Sequence, residues 1–443
     1  MVLIIRKKVI TLVVEKNFNL LINEKTGKWL CFKYPTVPQI IRNITENQFR
    51  TLFRGYSECE DIICKFDVLE QPQEVINDLL QKANYLVLHV SDRCNMHCEY
   101  CYAEDNELDR EQIMDSETMI KAIDKFLDNC HHLNVLFHGR EPLTNYSNIL
   151  RTLEHYCDNK RISFTLQTNG VLLTDDKINQ LKKHNVEISV SMDGISDKAN
   201  KLRINGETSL NYTKRIIELV KKYHLSVITI IHNENIDELL DIRNFLIRNG
   251  LNSAAFNFLW PTRENPMLEN EVVSQERLIV EMKRLFLTSI EDDRGKKFFD
   301  FKERDLFLLY GRVVFRHINN YMCNKSPCGA GKNCFSVNYN GDVYACTTVN
   351  KQKENYMGNI LHDLLADIIS REVELRKRNI DEIEDCNECP YSIFCGGGGC
   401  AGFIYNSSGN VNSKSIYCDY YKEMIRFLIE YSFECSRNKF FIN

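Results

Sequence analysis

Leu86-Val87-Leu88-His89-Val90 runs through Ser91-Asp92-Arg93 into Cys94-Asn95-Met96-His97-Cys98-Glu99-Tyr100-Cys101. The first five residues form an apolar run of strand length, bounded by polar residues. The cysteines then fall on the loop beyond the strand's carboxyl end, where parallel α/β sheets place their sites. Three thiolates within eight residues can bind three irons of a [4Fe–4S] cube and leave the fourth open to a substrate-derived ligand. A structural zinc site is the alternative, but zinc motifs supply four ligands in paired knuckles, and this group has three. His97 lies inside the loop and reads as incidental.

Outward from this strand the pattern alternates. Strands are predicted at Leu86–Val90, Val135–His138, Ile162–Gln167, Val186–Ser191, Ser226–Ile231 and Ala254–Leu259. Amphipathic helices are predicted between them at Glu117–Leu127, Ser147–Tyr156, Asp176–His184, Leu210–Tyr223 and Ile236–Arg248. Such alternation implies a parallel sheet, open or curled into a partial barrel. Six units fall short of the eight that close a full barrel. Before it, Val9–Val14, Phe18–Asn23 and Trp29–Phe32 read as strands, and Val37–Ile44, Glu46–Phe53 and Gln73–Lys82 as helices. After it, from Cys323, elements look short and the segment looks unable to build a large apolar core without metal. These changes set domain boundaries at 1–82, 83–300 and 301–443.

Composition narrows the class. The chain has 443 residues, 44% of them hydrophobic and 26% charged, with a net charge of −5. Its mean hydropathy is −0.33. The charge argues against a nucleic-acid surface. No apolar run approaches the roughly 18–20 residues of a membrane helix, and the first residues lack a signal-peptide pattern. A cytoplasmic protein is expected. The eighteen cysteines, in a long chain without a secretion signal, point to metal rather than disulfides.

C-x3-C-x2-C after the first strand of a partial (β/α)6 barrel resembles the signature of the radical S-adenosylmethionine (SAM) superfamily. The resemblance implies that Cys94, Cys98 and Cys101 hold the cluster that splits SAM, with Tyr100 beside the adenine. Phe137-His138-Gly139-Arg140-Glu141-Pro142 resembles the family's G-G-E-P loop, whose backbone holds the SAM amino group. Gln167-Thr168-Asn169-Gly170 follows the third strand, and Ser191-Met192-Asp193-Gly194 resembles the segment whose Ser meets the ribose. Arg203 matches a position that pairs with the SAM carboxylate. The implied cofactor contacts are therefore Tyr100, Gly139, Arg140, Glu141, Pro142, Gln167, Asn169, Ser191, Asp193 and Arg203. Two residues depart from the family pattern. Arg140 replaces the second Gly, tolerable where the loop works through its backbone, and Ala199 stands where relatives often carry His.

Eight further cysteines suffice for two fully ligated [4Fe–4S] clusters: Cys328, Cys334, Cys346, Cys386, Cys389, Cys395, Cys400 and Cys418. Paired zinc ribbons are the alternative reading of the C-x2-C unit. The region resembles the SPASM domain of peptide-modifying radical SAM enzymes. That resemblance assigns Cys328, Cys334, Cys346 and Cys400 to one auxiliary cluster, and Cys386, Cys389, Cys395 and Cys418 to the other. Cys323 competes with Cys328 for the first position. Gly396–Gly399 puts four residues between Cys395 and Cys400, where the family usually has three; the reading is a lengthened turn. Sulfatase-maturing relatives place an Asp after the cysteine equivalent to Cys346, and here Thr347 follows, a poor base.

The three strands and three helices predicted at the start resemble a winged-helix-like peptide-recognition module, which could take a leader peptide as an added strand. Together these resemblances imply three [4Fe–4S] clusters, SAM, a ribosomally made precursor peptide and a low-potential donor of the ferredoxin or flavodoxin type. They imply no nucleic-acid or membrane partner. The expected reaction is a thioether crosslink from cysteine sulfur to carbon, with carbon–carbon crosslinking or epimerisation using the same machinery. A non-enzymatic iron–sulfur carrier or sensor is the reading from a different class. It would need neither the Gln167–Gly170 nor the Ser191–Gly194 segment.

Overall fold

Four antiparallel strands come first: β1 (Ile10–Val14), β2 (Asn19–Asn23), β3 (Trp29–Phe32) and β4 (Gln39–Arg42). The computed structural model describes residues 10–14, 19–23, 29–32, 39–42, 83–102, 111–204, 211–293, 296–315, 328–435 and 440–442. Glu46–Phe53, Gln73–Lys82, Cys59, Cys64 and Cys323 lie outside the described residues. The helix predicted at Val37–Ile44 is corrected: its centre is β4, paired antiparallel with Thr11–Val14. Pro38 stands directly before it and two isoleucines within it, and β-branched residues fit a strand better than a helix.

The partial barrel follows, with β5 (Tyr85–Ser91), α1 (Ser116–Leu127), β6 (Leu133–Gly139), α2 (Tyr146–His155), β7 (Ile162–Thr168) and α3 (Asp175–Lys183). It continues through β8 (Glu187–Ser191), α4 (Tyr212–Tyr223), β9 (Ser226–Ile231), α5 (Leu239–Arg248) and β10 (Ser253–Phe258). Every neighbouring pair from β5 to β10 is parallel. Local chemistry sets the boundaries: the Asp115 carboxylate caps α1 at Thr118 N (2.7 Å), and the Thr174 hydroxyl caps α3 at Lys177 N (3.3 Å). Each cap satisfies an N–H left open in the first turn.

Beyond β10 come α6 (Gln275–Ser289), a hairpin of β11 (Ile290–Asp293) and β12 (Lys296–Phe299), β13 (Lys302–Glu303) and α7 (Arg304–Phe315). The cysteine-rich region then extends the barrel's own sheet. Its strand β14 (Cys334–Val337) pairs parallel with β5, setting Cys334 opposite Tyr85 and Val337 opposite Leu88. Strands β15 (Asp342–Tyr344) and β16 (Tyr356–Asn359) add antiparallel, giving a ten-stranded order β13-β10-β9-β8-β7-β6-β5-β14-β15-β16.

The expectation of only short elements there is also corrected. Short helices α8 (Leu365–Ser370), α9 (Ser392–Cys395) and α10 (Ala401–Ser408) lead to α11 (Cys418–Cys435), which is 18 residues long. Met424, Ile425, Leu428 and Ile429 of α11 are fully buried, and Phe335, Val337, Phe394 and Ile404 belong to the same apolar core as the barrel strands. Apolar burial, worth about 25 cal/mol per Å², therefore contributes to holding this region together. The last strand, β17 (Phe440–Ile442), joins the first sheet beside β3, in the order β17-β3-β2-β1-β4. Trp29 ties that sheet to the rest: its buried indole donates to Val313 O of α7 at 2.6 Å. No helix among the described residues is long and apolar enough to cross a membrane.

Candidate active site

The loop bearing Cys94, Cys98 and Cys101 leaves β5 and is held by backbone bonds. Glu99 N donates to Leu202 O (2.8 Å), and Glu141 N donates to Arg93 O (3.0 Å). Beside it, Gly139 has φ +129°, and a Cβ there would lie 2.5 Å from Ser91 O. Only glycine permits this approach, which brings the Gly139–Arg140 backbone against the cysteine loop. Asn169 crosses to the loop, donating from Nδ2 to Asn95 Oδ1 (3.0 Å) and towards Cys94 Sγ (3.9 Å).

Two buried carboxylates brace this end of the barrel. Glu141 accepts from Leu143 N (3.0 Å), Thr168 Oγ1 (2.7 Å) and Asn169 N (2.8 Å), so one side chain joins the loops after β6 and β7. Pro142 opens a buried turn next to it. Asp193 accepts from the Tyr100 hydroxyl, from Arg203 Nε (2.8 Å) and from Ile230 N (2.9 Å). Arg203 in turn lies over the Tyr100 ring, 5.3 Å from its centroid. Glu141 and Asp193 have no exposed surface. They position neighbours from behind the wall, whereas Tyr100, Gly139, Arg140, Gln167, Asn169, Ser191 and Arg203 line a cavity of about 290 Å³ with the three cysteines. Burial pushes the Cys94 thiol up to about 11 and the Cys98 thiol up to about 12, the latter against the Arg203 charge.

That cavity opens onto a second of about 430 Å³ inside the barrel. Gln167, Asn257, Trp260, Thr347, Thr348 and Phe403 line both. Cys334, Cys346, Cys395 and Cys400 border the second, whose floor carries Glu303, Arg304 and Asp305. Sequence reasoning missed Trp260, Phe403, Tyr420 and Tyr421. Trp260 follows β10 at a carboxyl end, so the rule that singled out the cysteine loop would have found it. Phe403 has no such signal.

The structure brings the auxiliary cysteines together in two groups. Charges on Cys400 and Cys346 act on Cys328, and the Cys346, Cys328 and Cys400 thiols act on Cys334. Separately, Cys389, Cys386 and Cys418 act on Cys395. Burial pushes Cys328 and Cys395 up to about 12. Cys346 moves down, because the Cys334 thiol and Thr348 donate to it. No disulfide joins the described cysteines. Among the described residues no three His, Cys, Asp or Glu side chains converge as ligands of one zinc ion would. Cluster ligands, each on its own iron, have no such requirement. These soft, buried, grouped thiols fit iron–sulfur clusters. The SAM-side cavity also fits its ligand, since Arg140 Nε and His138 Nδ1 are buried there without a partner.

Two histidines complete the surroundings. His89 Nε2 lies 2.6 Å from Thr347 Oγ1, and its ring centroid is 5.5 Å from that of His138. Burial drives His89 well below its usual range and His138 down to about 4, so both are neutral at pH 7.

Residues 88–246 match the radical SAM superfamily, and residues 328–390 match the SPASM iron–sulfur cluster-binding domain. The chain carries a radical SAM domain and a SPASM domain. The pairing implies SAM and [4Fe–4S] clusters, with auxiliary clusters typical of SPASM. The radical SAM cyclopropyl synthase TigE of Paramaledivibacter caminithermalis is 28% identical over 374 residues, 77% of this chain and 73% of that one. The fold is shared with native anSMEcpe with bound AdoMet and Cp18Cys peptide (TM-score 0.65, 20% identity, covering 79% of this chain and 99% of that one). It is shared too with Streptococcus suis SuiB bound to precursor peptide SuiA (TM-score 0.54, 16% identity, covering 92% and 98%). This radical SAM–SPASM chain is thus an enzyme related to peptide and protein maturases.

Proposed function

We propose that the enzyme crosslinks a ribosomally made, cysteine-rich precursor peptide, joining a cysteine sulfur to a carbon of another residue. The observation that carries this reading is the continuity of the two cavities, which share Gln167, Asn257 and Trp260 between the cysteine loop and the auxiliary cysteines. A peptide segment lying there reaches both ends. Cys94, Cys98 and Cys101 would hold the cluster at which SAM would supply the radical chemistry that takes one hydrogen atom from a peptide carbon; as the sulfur–carbon bond forms, the thiol proton would pass to solvent and the remaining electron to an auxiliary cluster on the C-terminal cysteines.

The chain's own residues do the rest. Asp193 fixes Tyr100 and Arg203, Arg140 turns an unpartnered Nε to the cavity, and Ser191 and Asn169 offer polar contacts to the same ligand. Trp260 and Phe403, stacked at 6.2 Å, exclude water between the two ends. Cys328, Cys334, Cys346 and Cys400 hold one auxiliary cluster, and Cys386, Cys389, Cys395 and Cys418 the other, three clusters in all. Strand β4 ends the first sheet, so a leader peptide adds beside it through main-chain bonds. A cytoplasmic ferredoxin or flavodoxin supplies electrons.

The test is anaerobic incubation of the reconstituted enzyme with SAM, reductant and a synthetic peptide taken from any short cysteine-rich reading frame found beside its gene. Loss of two hydrogens per link, with one alkylatable thiol fewer, is the expected result. The likeness to TigE favours a second reading, carbon–carbon ring closure. The same mass loss with every thiol retained would establish that reading, and an unchanged mass would refute both.

A further inference from the structure

Gly396, Gly397, Gly398 and Gly399 have φ values of 62°, 88°, 81° and 104°. No other residue type holds four consecutive positive φ values cheaply. The turn joins Cys395 of one auxiliary group to Cys400 of the other, so it spans the space between them. Arg378 fills that space. A Cβ on Gly397 would lie 2.8 Å from Arg378 Nη2, which instead donates to Gly397 O at 2.9 Å. Arg378 Nη1 donates to Val411 O and, at 3.3 Å, to Ser413 O.

Arg378 is 3% exposed. Among the described residues it makes no ion pair, and its Nε is buried without a partner. The negative groups that act on it are Cys386, Cys328, Cys400 and Cys395, two from each auxiliary group. An unpaired buried cation is costly, and carbonyl acceptors alone offset that cost poorly. A cube bound by four thiolates carries net negative charge and gains one more on reduction, and nearby charge is a lever on its potential. Arg312 offers a contrast. It donates to Phe394 O at 2.7 Å, and among the described residues the only cysteine acting on it is Cys395.

We propose that Arg378 is a counter-charge shared by both auxiliary clusters, held between them by the tetraglycine turn, that raises both reduction potentials. The inference rests on the ligand assignment under the proposed function. The fixed charge favours the reduced state of each cluster. Arg378 is a positioning residue for electrons and touches no substrate.

The test is an EPR-monitored redox titration of the full chain, reconstituted anaerobically, with iron and sulfide counted. Arg378→Gln should shift both auxiliary midpoints to more negative values, and Arg378→Lys should leave both near wild type. Arg312→Gln should shift one. Unchanged midpoints in a fully loaded Arg378→Gln protein, or a shift confined to one cluster, would overturn the proposal. If Arg378→Gln fails to load, loading of Arg378→Lys at wild-type midpoints supports the charge role, and loss of iron from both variants overturns it. A wild-type protein with a single cluster would instead refute the ligand assignment.

Discussion

Asp193 carries more structural responsibility than its sequence motif suggests. Its carboxylate holds the Tyr100 hydroxyl, the Arg203 guanidinium and the Ile230 amide, and neither Asp193 nor Arg203 reaches water appreciably. Asp193→Asn leaves a buried cation unpaired, an effect of about 3–5 kcal/mol, and thermal unfolding should show it together with weaker SAM binding. His138 gives a pH dependence. Its folded value is about 4 against about 6.5 unfolded, so the unfolded chain binds the extra proton between those values. Stability present above pH 6.5 is therefore lost as pH falls, by up to about 3 kcal/mol near pH 4, and buried His89 acts in the same direction. Denaturant unfolding at pH 7.5 and 5.5 should show the loss, and His138→Gln should reduce it. At this scale the grouping of the thiols was legible, because cysteines separated by two to five residues on one loop are held near one another by the chain itself. The bracing role of Glu141 was not, because a motif says which residues converge and not which way each faces.

Among the elements, the barrel strands lie where alternation predicts them, within a residue or two at each end. The pairing of β14 with β5 was invisible, since a four-residue strand carries no sign of its partner. It has a consequence for truncation. A chain ending near residue 320 leaves Leu86–Leu88 of β5 without the ladder that Phe335–Val337 supplies, and exposed apolar edges aggregate. Such a protein should elute in the void of a sizing column or stay insoluble, and a monodisperse fragment would contradict the pairing. Gly139→Ala should be similarly damaging to SAM binding, because the new Cβ meets Ser91 backbone and not a movable side chain. Strand β4 was illegible because Val37, Ile40, Ile41 and Ile44 repeat at helical spacing, although Pro38 and the β-branched side chains suit a strand. The length of α11 was illegible because its apolar residues follow directly on a cysteine-rich stretch.

Across the whole molecule one apolar core runs from Trp29 through the barrel to Leu428. Iron-free protein should therefore retain its helix and sheet signal in circular dichroism, with a lowered melting temperature, and not lose its cysteine-rich third. Composition and cysteine spacing made the class legible. The joined cavities were not, because they depend on how β14–β16 dock on the barrel. Every step proposed for this enzyme starts from SAM cleavage at the Cys94, Cys98 and Cys101 loop. The direct measurement is anaerobic incubation of the reconstituted chain with SAM and dithionite. Release of 5′-deoxyadenosine and methionine in equal amounts, abolished when all three cysteines become alanine, is expected; an iron-loaded wild-type chain that releases none would contradict it.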